Sequence, residues 1–322
     1  MTTRYDWKLL RAGSFRLDGG SMFGLIPRTV WSRSVPTDDK GRITVQHNCL
    51  ALTRPGTDKV VLIETGTGDK LDPASRDLFA MEDRSVLTAL QEANLNPINV
   101  SDVLVSHLHF DHAGGLTRVC QPGESPDWKG PASGMAGKRE DHGVKLSFPN
   151  AKLHVQRREW DDAVAGRSVM TRTYFIDHLE PMRDRVHFLE APSPFERWRT
   201  PDRDERPKLT LEQRMVEAAD GIFTFLVPGH TWGQQAVLFQ DTSGRTVVFV
   251  PDCLPTAAHV GATYSLAYDV EPYTSMLTRQ WLLEAAAERN WLLVLDHEPG
   301  NPCFTVTPNG KGWWNLQPVV AG

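Results

Sequence analysis

The sequence predicts an α/β protein with metal-binding residues at the ends of its strands. Three observations predict it. Two apolar runs, at residues 60–63 and 103–105, flank a stretch of helical periodicity at 85–94, which is the strand–helix–strand order of an α/β layer. The second run leads straight into Ser106-His107-Leu108-His109-Phe110-Asp111-His112-Ala113-Gly114-Gly115. In the second half, three more strand-like runs each end on a metal-ligating residue type, at His230, Asp252 and His297. A chain of 322 residues can bury a large core, and two-layer or four-layer α/β folds reach this size as one unit.

In chain order, residues 7–17 read as a first strand closed by Asp18-Gly19-Gly20. The apolar stretch Ser21-Met22-Phe23-Gly24-Leu25-Ile26 reads as core packing or as a loop whose Met22 and Phe23 line a substrate pocket. Residues 43–52 alternate as a strand, and Arg54-Pro55-Gly56 turns the chain. The strand at 60–63 ends at Glu64-Thr65-Gly66-Thr67-Gly68-Asp69, a sharp exit without the spacing or lysine of a phosphate loop. Val86, Leu87, Leu90 and Ala93 give the helix its spacing, and Asn94 and Pro97 end it.

Residues 120–143 are rich in Pro and Gly, with Trp128 and Met135 inside, and read as a long loop. Residues 152–155 and 186–189 read as strands, and 159–165 and 170–182 as helices. His154, a lone histidine in a strand, reads as structural. The charged, proline-containing stretch 196–208 reads as a solvated loop, with a flap over the site as the sharper alternative. Strands follow at 222–227, 236–240, 246–250 and 291–295. A helix at 273–290 shows Tyr273, Leu277 and Trp281 along one face.

Composition excludes several classes. The net charge is −5 and the acidic residues outnumber the basic ones, which argues against nucleic acid as a partner. No stretch approaches signal-peptide or membrane-span length. Cys49, Cys120, Cys253 and Cys303 lack metal-type spacing and read as reduced thiols, which places the expectation in the cytoplasm. No internal repeat is present.

The chemistry lies in the histidines. Imidazole and carboxylate suit zinc, and equally iron, manganese or cobalt. On an extended backbone His107 and His109 point the same way and can bind one ion, while Asp111 and His112 turn toward a second. With His230, Asp252 and His297 there are seven N/O ligands, enough for two divalent ions. A carboxylate such as Asp252 can bridge two metals; an imidazole cannot.

Residues 62–68, the segment from His107 to Gly115, Pro228-Gly229-His230-Thr231, Asp252 and His297 together resemble the metallo-β-lactamase fold superfamily. The resemblance implies a four-layer αβ/βα sandwich as one domain over residues 1–322, with insertions near 117–149 and 191–211. It implies that His107, His109 and His230 hold metal 1, that Asp111, His112 and His297 hold metal 2, and that Asp252 bridges. An Asp at the bridging position is similar to the dinuclear hydrolases of the family rather than its cysteine-type zinc β-lactamases. Within the superfamily the chain is similar to N-acyl homoserine lactonases, the quorum-quenching type, and the segment Gln156-Arg157-Arg158-Glu159-Trp160 adds to this. Lactonases often carry a tyrosine soon after the bridging Asp. Here that stretch is Cys253-Leu254-Pro255-Thr256, and Tyr264 and Tyr268 are the candidates for the role.

The expected function is a dinuclear metal-dependent hydrolase in which a metal-bridging hydroxide opens a lactone or carboxylic ester. Asp111 and Asp252 would orient the nucleophile, and Met22, Phe23 and Tyr268 would contact the substrate. Alternatives are an organophosphate triester hydrolase or a glyoxalase-II-like thioester hydrolase of the same fold, and a non-hydrolytic metal protein. The expected partner is a small molecule, with no nucleic acid and no membrane; a homodimer is left open.

Overall fold

The computed structural model describes residues 3–131, 142–166, 171–196, 201–202 and 205–320. The chain divides into two compact units. The first comprises Asp6–Phe15 and Gln46–Leu189, and the second Met1–Tyr5, Arg16–Val45 and Glu190–Gly322.

The first unit is built on β1 (Asp6–Asp18), β2 (Arg42–Thr53), β3 (Val60–Ile63) and β4 (Val100–Leu104), followed by β5 (Thr117–Val119), β6 (Trp128–Gly130), β7 (His142–Leu146), β8 (Lys152–Gln156) and β9 (Val186–Leu189). Six of these form a sheet in the order β1-β2-β3-β4-β8-β9. Pairing is antiparallel from β2 to β3, then parallel through β4, β8 and β9. Parallel neighbours need crossovers, and two helices lie on them: Val86–Glu92 between β3 and β4, and Arg157–Ala165 between β8 and β9. The helical period of Val86, Ala89 and Leu90 buries that face with Leu62, Val103, Val105, Leu153 and Val155 of the sheet. Asn94, at φ 58°, ends the first helix in the left-handed region.

Two expectations are corrected in this unit. The stretch 120–143 is not simply a loop. It contributes β6 and the start of β7 to a three-stranded sheet in the order β5-β7-β6. Thr117, Arg118 and Val119 pair with Leu146, Lys145 and Val144, and three-residue strands are too short to display a period of two. Residues 132–141, with Met135, lie outside the described residues. The helix expected at 170–182 is instead a short α-turn, Ile176–Leu179, between 3-10 turns at Thr171–Thr173 and Glu180–Arg185. Pro181 lacks the N–H that an α-helix would need there.

The second unit carries β10 (Val216–Ala219), β11 (Ile222–Leu226), β12 (Gln235–Gln240), β13 (Thr246–Val250), β14 (Leu292–Leu295), β15 (Cys303–Pro308) and β16 (Trp314–Pro318), which neighbour one another in chain order in a seven-stranded sheet. Only β13 and β14 pair in parallel, and the long helix Pro272–Arg289 is their crossover. Its Leu277, Trp281, Leu282, Leu283 and Ala286 share a core with Phe225, Leu238, Val248, Val250 and Leu293. The charged stretch 196–208 is described only in part, with 197–200 and 203–204 outside the described residues, and the flap reading falls on it. No helix among the described residues is long and apolar enough to cross a membrane.

Residues Ser21 to Phe23 belong to a helical turn, Gly19–Phe23, whose first turn is capped by Asp18 accepting from the Ser21 amide at 2.7 Å. Met22 and Phe23 are 1% and 0% exposed. Phe23 stacks on Trp31, with centroids 4.9 Å apart, and on His259 at 4.5 Å with the rings 2° from parallel. Of the two expected readings of this stretch, these side chains take core positions, and the faces of Phe23 are covered by Trp31 and His259. His259 is itself fully buried, its Nε2 2.8 Å from the Met22 carbonyl and its Nδ1 2.8 Å from the Thr256 hydroxyl. The carbonyl only accepts, so Nε2 carries the proton and Nδ1 accepts from Thr256.

Two outcomes are expected. Phe23→Ala should lower stability by about 3–5 kcal/mol by opening a cavity, as measured by urea unfolding. The second concerns pH. Burial pushes the His259 pKa down to about 4 from an ordinary 6.5. Between those values the unfolded chain binds the extra proton, so this group's contribution falls as pH drops through the window and is constant outside it. The loss is up to about 3 kcal/mol, at roughly 1.4 kcal/mol per pKa unit. His259→Gln should flatten the fall in unfolding free energy between pH 7 and 4.5; parallel profiles for variant and wild type would refute this.

Candidate metal centre

In the first unit, β4 delivers the chain through Val105 and Ser106 into the histidine motif, and a helical turn, Phe110–Ala113, carries Asp111 and His112. His107, His109 and His112 are buried. The His107 ring lies 4.4 Å from that of His109 and 3.9 Å from that of His112, centroid to centroid. The Asp111 carboxylate is partly open, with Oδ1 3.8 Å from His112 Nε2.

The Glu64–Lys70 loop clamps this segment along its length. Glu64, at φ 67°, accepts from the Ser106 amide at 2.6 Å through Oε1 and sets Oε2 3.3 Å from His112 Nδ1. The Thr65 hydroxyl donates to the His112 carbonyl at 2.7 Å, and the Gly115 amide donates to Gly66 O. Lys70 Nζ donates to the carbonyls of Gly114 and Thr117. Burial lowers the Lys70 pKa despite the opposing charges of Asp177 and Asp69. The approach is too close for side chains at Gly114 and Gly115: a Cβ there would sit 2.3 Å from Thr67 O and 2.2 Å from Thr65 O.

In the second unit, the ligand-type residues again follow strand ends. Gly229, at φ 135°, would place a Cβ 2.3 Å from Ser275 N, so only glycine lets the turn before His230 seat against the long helix. Asp252 follows β13 and Asp296-His297 follows β14. The parallel register Val250↔Leu295 brings these residues out side by side. Asp252 Oδ2 lies 3.0 Å from His230 Nε2, and Oδ1 lies 3.3 Å from His297 Nε2. Ligand atoms of Asp252, Asp296 and His297 lie within 4.8 Å of one another. Asp269 meets His230 Nδ1 at 2.9 Å, and its other oxygen accepts from the Leu266 amide at 3.0 Å.

This donor set fits a divalent cation. Three imidazoles are engaged at Nδ1, His107 by Ser106 Oγ at 3.0 Å, His112 by Glu64 and His230 by Asp269, and a ring held this way turns Nε2 to a metal. Electrostatics agree. Burial opposes a charged His230, yet the carboxylates of Asp252 and Asp269 outweigh it and push its pKa up to about 10. The position attracts positive charge, which a metal ion supplies.

His154 stands apart from the motif, on β8. Its Nε2 lies 2.7 Å from Asp102 and its Nδ1 2.9 Å from His187. Tyr264 packs edge-on against Phe23 at 5.9 Å, and Tyr268 is half-buried one residue before Asp269. Glu64, Glu159, Asp269 and Asp296 were not expected from the sequence. Asp296 had a signal in its place beside His297 at a strand end. Asp269 is 39 residues from His230 and no spacing rule links them.

The family model described as the metallo-beta-lactamase superfamily matches residues 42–297. The chain belongs to that superfamily. It is accordingly a hydrolase with the mixed α/β metallo-β-lactamase fold. Similar solved structures include a probable metal-dependent hydrolase from Staphylococcus aureus, 21% identical, with 100% of each chain covered and a TM-score of 0.75. Another is the hydrolase AbOPH of the beta lactamase superfamily, 16% identical, covering 100% of this chain and 97% of that one, with a TM-score of 0.68. A third is AidC, a dizinc quorum-quenching lactonase in complex with a product, 15% identical, covering 99% and 98%, with a TM-score of 0.67. These likenesses are of fold. A comparison with curated proteins finds no match.

Asp269→Ala should weaken metal binding about 10–100-fold by releasing His230 Nδ1. His154→Ala should keep the wild-type metal content. Elemental analysis with chelator competition reads both; loss of an ion in folded His154→Ala would show that the ligand set is wrong.

Proposed function

We propose that the chain is a single-domain dinuclear zinc hydrolase that opens a lactone or carboxylic ester with an apolar acyl tail, in the manner of N-acyl homoserine lactonases. The observation that carries the reading is the Asp252 carboxylate with an imidazole at each oxygen, the arrangement a metal-bridging group requires. His107, His109 and His230 would hold one ion, Asp111, His112 and His297 the other, and Asp252 both. Family membership and the order of these residues along the chain support the assignment. AidC, a lactonase of similar fold, suggests lactones as the first substrate class to test. The absence of any disulfide among the four cysteines supports a reducing, cytoplasmic setting.

When bound, two divalent cations lower the pKa of water toward neutrality and polarise the substrate carbonyl. The chain's own groups do the rest. Glu64 and Asp269 hold the His112 and His230 rings in orientation. Asp111, the partly open carboxylate of the motif, would accept the proton of the attacking water, while Asp252 would fix its direction. Tyr268 is the proposed contact to the substrate's polar end. The tail needs an apolar surface, and with Met22 and Phe23 buried, Phe110 is the better candidate. It sits between His109 and Asp111, is 9% exposed, and packs with Phe79, Met81 and Phe175.

Protein purified without chelator should contain two metal ions per chain. Each buried methylene is worth about 0.8 kcal/mol, so kcat/KM over an acyl-homoserine-lactone series should rise about fourfold per methylene until the pocket fills. Phe110→Ala should flatten that rise at unchanged metal content. The series is run beside aryl esters, a thioester and a phosphotriester. No lactone opening at any length, with rapid turnover of the thioester or phosphotriester, would assign the centre to another hydrolase class.

A further inference from the structure

The His107–His109 segment has a second support that neither the Glu64 loop nor the ligand set accounts for. Leu108 separates the two histidines, and its side chain is buried in the core of the first unit. Its backbone amide is exposed to the opposite problem: in a buried segment it must find an acceptor. The acceptor is Glu159 Oε1, at 3.0 Å, 51 residues further along the chain. Glu159 lies in the first turn of the helix Arg157–Ala165 and is 0% exposed. The same oxygen accepts from the Tyr174 hydroxyl at 3.2 Å. The Tyr174 ring in turn rests against His109, with centroids 5.1 Å apart and planes at 59°. One buried carboxylate oxygen thus ties the backbone between two histidines to the ring that flanks one of them.

We infer that Glu159 and Tyr174 form a brace that positions His107 and His109, and that this brace sets the affinity of the ion those two histidines hold. The inference rests on the dinuclear reading above. Glu159 is a positioning residue: it fixes the peptide plane at Leu108, which decides where both imidazoles point. Tyr174 limits the rotation of the His109 ring. A ligand pair held in place before the ion arrives loses less conformational freedom on binding, and binds more tightly for that reason.

The test is metal titration of the full chain, with zinc under chelator competition and with cobalt followed by its visible absorption, alongside thermal unfolding of each apo variant. Glu159→Gln keeps an oxygen that can accept from both the Leu108 amide and the Tyr174 hydroxyl, and should keep zinc affinity within about threefold of wild type. Glu159→Ala should weaken one of the two ions about 10–100-fold, leave the other near wild type, and shift the cobalt spectrum. Tyr174→Phe, which keeps the ring, should resemble Glu159→Gln. Tyr174→Ala should weaken the same ion as Glu159→Ala. If Glu159→Ala does not fold, the Tyr174 pair decides the matter. Folded alanine variants with both ions at wild-type affinity would overturn the brace while leaving the dinuclear reading intact. A wild-type chain that takes up no metal would overturn the centre, and the brace with it.

Discussion

A buried imidazole must have its ring nitrogens engaged, and much of this structure follows from meeting that requirement. Desolvation alone would favour neutral rings scattered through a core. Here three buried histidines, two in the motif and one at a later strand end, each have an oxygen beside Nδ1. Ser106 serves His107, Glu64 serves His112, and Asp269 serves His230. The strand ends put the histidines in the right neighbourhood; the oxygens decide which nitrogen faces a ligand. The same need explains why acidic residues with no direct role in the chemistry are buried beside it.

The support is unevenly distributed along the chain. In the first unit it is local in space but drawn from three segments: the Glu64–Lys70 loop, the motif itself and the helix bearing Glu159. The loop reaches the motif through the side chains of Glu64, Thr65 and Lys70 and through backbone hydrogen bonds of Thr65 and Gly66. In the second unit the support comes from sheet register and from the loop that carries Asp269.

What could be read from the sequence was what lies close together along the chain. The motif packs its ligand-type residues into six positions, and the strands that precede it and the later candidate ligands are apolar runs with visible ends. Strands at 186–189 and 246–250 coincide with β9 and β13 for that reason. The partners that orient the rings were not legible, because the pairing of His230 with Asp269 or of Leu108 with Glu159 is made by folding and leaves no spacing in the sequence. Met22 and Phe23 were ambiguous for a different reason. An apolar loop and a core plug have the same composition, and the decision between them was made by Trp31 and by His259, more than two hundred residues away. β15 and β16, which follow the last candidate ligand, were not read as strands from the sequence.

The parallel register of β13 against β14 has a consequence for how errors in folding would show themselves. Val250 pairs with Leu295, so the next residues on the two strands leave the sheet at the same height, about one strand spacing apart. Asp252 and His297 meet because of that alignment. A slip of a single residue would exchange the faces of one strand and carry the ligand-type residue at its end out of reach of its partner. The hydrophobic cost of such a slip is softened here, since both strands are buried on both faces and nearly all their residues are aliphatic or aromatic. The core would tolerate the wrong alignment better than the strand ends would. Proofreading of the register therefore falls to the polar residues beyond the sheet: a misaligned chain could be compact and well packed, and it would betray itself by having no place for a cation.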